Sequence, residues 1–174
     1  RLPGGYAVHE KVYYIGVNDA WDDGDRLVHG EIGEVMGPGD YDEELSIKFP
    51  NNKDAIDLKV RNLSYSPPPP LPGGFSIGEK LYYTGGNYFF DNGDRLLPHE
   101  QGEVMGPSTS VEGQLMLKFP KNKRTVKCRV DELSRYPLQS SATSRLRQKL
   151  EKRKAAARND DAGAASSSSQ PIDT

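Results

Sequence analysis

The sequence predicts an all-β chain of two tandem small β-barrels, plus a short C-terminal basic helix and a disordered tail. Three observations point there: an internal duplication at a near-constant offset, apolar runs with a period of two, and a proline-rich joint between the copies. Leu2-Pro3-Gly4-Gly5-Tyr6 returns as Leu71-Pro72-Gly73-Gly74-Phe75, and Glu10-Lys11-Val12-Tyr13-Tyr14 as Glu79-Lys80-Leu81-Tyr82-Tyr83. Trp21-Asp22-Asp23-Gly24-Asp25-Arg26-Leu27 returns as Phe90-Asp91-Asn92-Gly93-Asp94-Arg95-Leu96. The offset is 69 residues through Gly33–Pro38 against Gly102–Pro107, and 70 from Lys48-Phe49-Pro50 against Lys118-Phe119-Pro120. One insertion before the third strand accounts for the change.

The expected organisation is a first repeat over residues 1–66, a Pro-rich linker over 67–74, a second repeat over 75–137, a basic helix over 138–158 and a disordered tail over 159–174. Consecutive prolines lack amide donors and favour an extended, semi-rigid backbone, so the linker is a spacer outside any sheet. Arg1 falls where such a spacer would end, which leads us to expect further copies upstream.

Within each repeat, strands follow from alternation. Leu45, Ile47 and Phe49 alternate with Ser46 and Lys48; Ile56, Leu58 and Val60 alternate with Asp57 and Lys59. The turn residues Pro50-Asn51-Asn52-Lys53 between them predict a hairpin. Copy two repeats this with Leu115, Leu117 and Phe119, then Val126, Cys128 and Val130, which places Cys128 in a core slot. Residues 11–15 and 34–36 supply two further strands around a long Asp/Gly-rich loop. Leu63 and Leu133 are expected in a short helical turn.

Several short strands with a long first loop predict a small Greek-key-like barrel. The order resembles Src-homology-3-like barrels of the Tudor and KOW kind. Such modules open with a Gly-x-x-Val strand, here Gly78-Glu79-Lys80-Leu81, and carry Gly-x-Val at the second, here Gly33-Glu34-Val35 and Gly102-Glu103-Val104. The repeats are also similar, more loosely, to those of mind-bomb-type ubiquitin ligases. Modules of this size are marginal alone, which leaves packing of the copies on each other open. The stiff spacer is expected to present two loops at a controlled separation, which raises avidity for a partner with two epitopes.

No catalytic or metal pattern emerges. With Gly24 at position 6 of a calcium-loop register, Trp21 falls at position 3 and Gly30 at 12; copy two fails in the same way. His9, His29 and His99 align with Gly78, Pro98 and Gly30, so no base recurs, and no zinc spacing or phosphate loop is present. The expectation is a non-enzyme with no cofactor.

An aromatic and acidic set does recur: Tyr13, Tyr14, Trp21 and Asp25, matched by Tyr82, Tyr83, Phe90 and Asp94. Aromatic faces attract cations, and the Tudor resemblance implies a cage for methylated Lys or Arg. The competing reading packs one tyrosine of each pair inward, caps the barrel with Trp21 or Phe90, and uses the aspartates to organise loops. Gly24 and Gly93 are expected at positive φ.

Charge separates the copies. Residues 1–66 hold 13 acids and 7 bases, and residues 67–137 hold 8 and 9. Lys118, Lys121, Lys123, Arg124, Lys127 and Arg129 form a candidate phosphate-binding stripe. In copy one Asp54 and Asp57 stand where copy two has Arg124 and Lys127, so a nucleic acid laid across both would meet repulsion. Residues 138–174 hold 4 acids and 7 bases. A helix capped by Thr143 or Ser144 is expected there, compatible with nuclear import or with contact to RNA or an anionic surface.

The lone cysteine fits a reducing compartment or simple indifference to redox; the expected location is intracellular, cytoplasmic or nuclear. No apolar run is long enough to span a bilayer. The leading expectation is a non-catalytic binding and scaffolding segment of a larger modular protein, with protein or peptide partners. Nucleic-acid association and recognition of methylated side chains are the alternatives.

Overall fold

A computed structural model describes residues 1–138, 146 and 148–157. The chain is mostly β, with two five-stranded antiparallel sheets of identical topology. Copy one holds β1 (Lys11–Tyr14), β2 (Asp19–Ala20), β3 (Arg26–Leu27), β4 (Ile32–Pro38), β5 (Glu44–Lys48), β6 (Ile56–Lys59) and β7 (Leu63–Ser64). Copy two holds β8 (Lys80–Tyr83), β9 (Tyr88–Phe89), β10 (Arg95–Leu96), β11 (Gln101–Pro107), β12 (Gln114–Lys118), β13 (Val126–Arg129) and β14 (Leu133–Ser134). The sheets run β6-β5-β4-β1-β7 and β13-β12-β11-β8-β14; β2-β3 and β9-β10 are separate two-stranded ribbons.

Alternating side chains bury one face of each long strand. Val12, Val35, Leu45, Ile47 and Phe49 are fully buried in copy one; Leu81, Val104, Leu115, Leu117 and Phe119 occupy the corresponding places in copy two. The two apolar clusters share no residue, so each repeat has its own core. Both β4 and β11 shift register against their neighbour, between Val35 and Gly37 and between Val104 and Gly106. Each bulge bends a strand that pairs on both sides.

The structure differs from expectation at several places. The long loop after β1 is not irregular: it folds into the β2–β3 ribbon, whose two-residue strands are too short for alternation to reveal. Leu63 and Leu133 begin strands instead of lying in a helical turn; the turns are the 3-10 segments Val60–Asn62 and Val130–Glu132 just before them. Leu71 is no spacer residue, because its side chain is buried in the core of copy two.

The copies also touch. Residues 1–137 form one compact unit. The Asn18 amide donates to the Met105 carbonyl at 2.7 Å. A Cβ on Gly106 would lie 2.9 Å from the Val17 Cα, so only glycine allows this backbone approach. The linker prolines 68–70 border a cavity of about 430 Å³ lined by Ile15, His29 and Arg61 of copy one and by Pro107 and Ser108 of copy two. The proline run thus joins repeats that are in contact and does not hold them apart.

Residues 148–157 are helical, and Leu146 and Leu150 are exposed there. The proposed cap at Thr143 or Ser144 and the tail over 159–174 lie outside the described residues. Among the described residues no helix is long and apolar enough to cross a membrane.

Candidate functional site

The recurrent aromatic and acidic set does not assemble into a cage. Tyr14 and Tyr83 are buried, each with only 4% of its surface exposed. The Tyr14 hydroxyl donates to the Val17 carbonyl at 2.7 Å, and its ring meets Phe49 edge-on at 6.3 Å. Burial, with the nearby Asp19 charge, pushes the Tyr14 hydroxyl up to about 12; burial also raises Tyr83. Tyr13 and Tyr82, one residue earlier on the opposite pleat, are half-buried. Trp21 is exposed, whereas Phe90 packs against the core of copy two and meets the Tyr88 ring at a 59° tilt, centroids 4.7 Å apart. A cage needs several open ring faces around one space, and two of the rings in question have none.

Asp25 and Asp94 are buried and hold their loops to the distal hairpin. Asp25 accepts the Lys53 amide at 2.7 Å and the Asp54 amide at 3.4 Å. Asp94 accepts the Lys123 amide at 2.7 Å and the Arg124 amide at 3.2 Å. The Lys123 amide, with the other donors, holds the Asp94 carboxyl below the usual aspartate range despite its burial. Gly24 and Gly93 turn these loops at φ 97° and 86°.

Sequence reasoning missed the partners of these aspartates. Asn52 and Asn122 are buried on the hairpin and bond both backbone groups of the residue after the aspartate. Asn52 accepts the Arg26 amide at 3.0 Å and donates to the Arg26 carbonyl at 2.8 Å; Asn122 does the same for Arg95 at 3.0 and 2.8 Å. The signal was available, since an asparagine recurs after Phe-Pro-x in both copies. Within Pro50-Asn51-Asn52-Lys53 it reads as a turn residue.

The six candidate nucleic-acid contacts divide. The Lys118 ammonium donates to the Lys123 carbonyl at 2.6 Å, Lys121 pairs with Glu100 at 3.5 Å, and Lys127 donates to the Ser110 hydroxyl at 2.7 Å. Arg129 is clamped on Asp131 at 2.7 and 3.0 Å. Lys123 and Arg124 are exposed and make no ion pair among the described residues.

Lys118, Lys123 and Arg124 line a cleft of about 880 Å³ built from both copies. Copy one contributes Arg26 and Arg61, so five cationic residues line it with one carboxylate residue, Asp19. Leu27, Val28 and Met105 supply apolar lining. The acidic balance of copy one over its whole length therefore misrepresents the face it turns to copy two. No known protein-family model matches the chain, and no curated protein matches it either.

Proposed function

We propose that the two repeats act as one non-catalytic binding module for a protein or peptide partner, with the inter-copy cleft as the binding site. The observation that carries this reading is that cleft, which neither repeat could form alone. Clefts of roughly 300–1,000 Å³ with an apolar lining and a few convergent polar groups are the usual form of a ligand site. The recurrent residues with most chemical potential, Tyr14, Asp25, Tyr83 and Asp94, are engaged in folding, which favours binding over turnover.

Each repeat is, in this reading, a Src-homology-3-like barrel. Support comes from the strand order, the ribbon inside the long first loop, the 3-10 turn before the last strand, and the return of that strand to pair with the first. Two such barrels docked in one unit replace the avidity of separated modules with a shared surface.

Selection from a random peptide-display library against the full chain tests the reading. Enrichment of a peptide class is expected, with binding lost in Gly106→Leu, which pushes the copies apart, while circular dichroism stays that of the parent. Failure to enrich any class, or binding that survives in a folded Gly106→Leu chain, would overturn it.

A further inference from the structure

The geometry points to an acidic peptide, a short segment bearing several carboxylates or phosphates, as the ligand of the inter-copy cleft. This rests on the binding reading above and names its ligand class. Arg26, Arg61, Lys123 and Arg124 make no ion pair with any carboxylate among the described residues. Elsewhere on the same unit some cations are matched, as Lys11 is with Glu34 and Arg129 with Asp131, and others such as Lys59, Lys80 and Arg95 are not. What sets the cleft apart is that five cationic residues line it with one carboxylate. Unmatched like charges facing one concave space repel, and an anion placed among them removes that repulsion while gaining charge-assisted hydrogen bonds.

Three of the five cations are arginines, whose planar forks bind carboxylate and phosphate oxygens in pairs. Asn18, Asn62, Thr109 and Thr125 add polar groups for a peptide backbone. The half-buried Val28 and Met105 can receive an apolar side chain between acidic ones.

A peptide fits better than a nucleic acid. A polynucleotide continues past the ends of any cleft, with a charge at every phosphate. On copy one it would meet the exposed carboxylates of Asp22, Asp23 and Asp54. A peptide of a few residues ends inside.

The test is fluorescence anisotropy on the full chain at low salt with four labelled probes. Three are eight-residue peptides of one leucine-containing design carrying glutamates, phosphoserines or glutamines; the fourth is an eight-nucleotide oligothymidylate. The glutamate or phosphoserine probe is expected to bind at least about tenfold more tightly than the glutamine peptide and the oligonucleotide, with affinity falling as salt rises. Whichever binds more tightly identifies carboxylate or phosphate as the preferred source of charge. The double change Arg61→Glu with Lys123→Glu is expected to weaken that binding at least about tenfold, whereas Lys80→Glu on β8 leaves it unchanged. If the reversal disturbs the circular dichroism, Arg61→Gln with Lys123→Gln takes its place.

Equal binding of the glutamine and acidic peptides, preference for the oligonucleotide, or unchanged binding in the folded charge variants would each overturn the inference. The peptide-display selection separates this failure from that of the broader reading. Enriched peptides that lack acids yet need the docked copies would overturn the acidic ligand alone. A selection that enriches nothing would overturn both.

Discussion

In copy one Tyr65 lies on Tyr6, with ring centroids 4.6 Å apart, and its hydroxyl donates to Glu10 at 2.8 Å. In copy two Arg135 stands in that place, 4.8 Å over Phe75 and paired with Glu79 at 2.5 Å. A phenol and a guanidinium thus do the same work: each covers an aromatic ring and reaches the glutamate just before the first strand of its copy. The fold demands the geometry and leaves the chemistry open. The converse holds at the loop before β2. In copy one that loop docks on copy two through Val17 and Asn18; in copy two the matching residues are Gly86 and Asn87, and the ribbon beyond them exposes Tyr88 and Phe89. The bulge partners diverge likewise. Gly106 meets Val17, whereas a Cβ on Gly37 would meet nothing within 4 Å. Corresponding cores therefore carry loops of different use.

The largest test of the matched cores is Phe49→Ala against Phe119→Ala. Each ring is buried, so each change should cost about 3–5 kcal/mol. Hydrogen exchange should show lost protection in the mutated copy while the sheet of the other keeps its own. Protection lost equally in both copies would merge what the structure separates.

Asn52→Ala and Asn122→Ala should come next, each near 1–3 kcal/mol, because each strands the amide and carbonyl of the following arginine loop. Chemical denaturation of the two variants checks whether the copies rely on this clasp equally. The acidic end of the same clasp responds to pH. The folded carboxyl of Asp94 titrates below its unfolded value, so its contribution is present above about pH 3.8 and is lost as pH falls through the lowered folded value. Melting temperature followed from pH 5 down to pH 2 should fall less steeply in Asp94→Asn than in the parent.

The smallest pair sharpens the contrast between docked and open loops. Gly106→Ala should destabilise by about 1–3 kcal/mol through forced separation. Gly37→Ala should stay within about 0.5 kcal/mol, since it faces open space. Thermal melts of the two decide it.

The duplication, the β5–β6 hairpin, the core positions and Cys128 as a buried small residue were legible because alternation and repetition are local signals. Burial pushes the Cys128 thiol up to about 12, as expected for a thiol among apolar neighbours. The β2–β3 ribbon was not legible, since two residues carry no period. The cleft was hidden for a different reason. Arg26, Arg61, Lys123 and Arg124 are scattered along the chain, and charge totals per repeat average over faces that only docking distinguishes.

Docking of the two copies is tested most directly by nuclear magnetic resonance on the full chain. Amide relaxation should give one rotational correlation time for residues 11–64 and 80–134, with nuclear Overhauser contacts between Val17 and Gly106. Two distinct correlation times with no such contacts would contradict it.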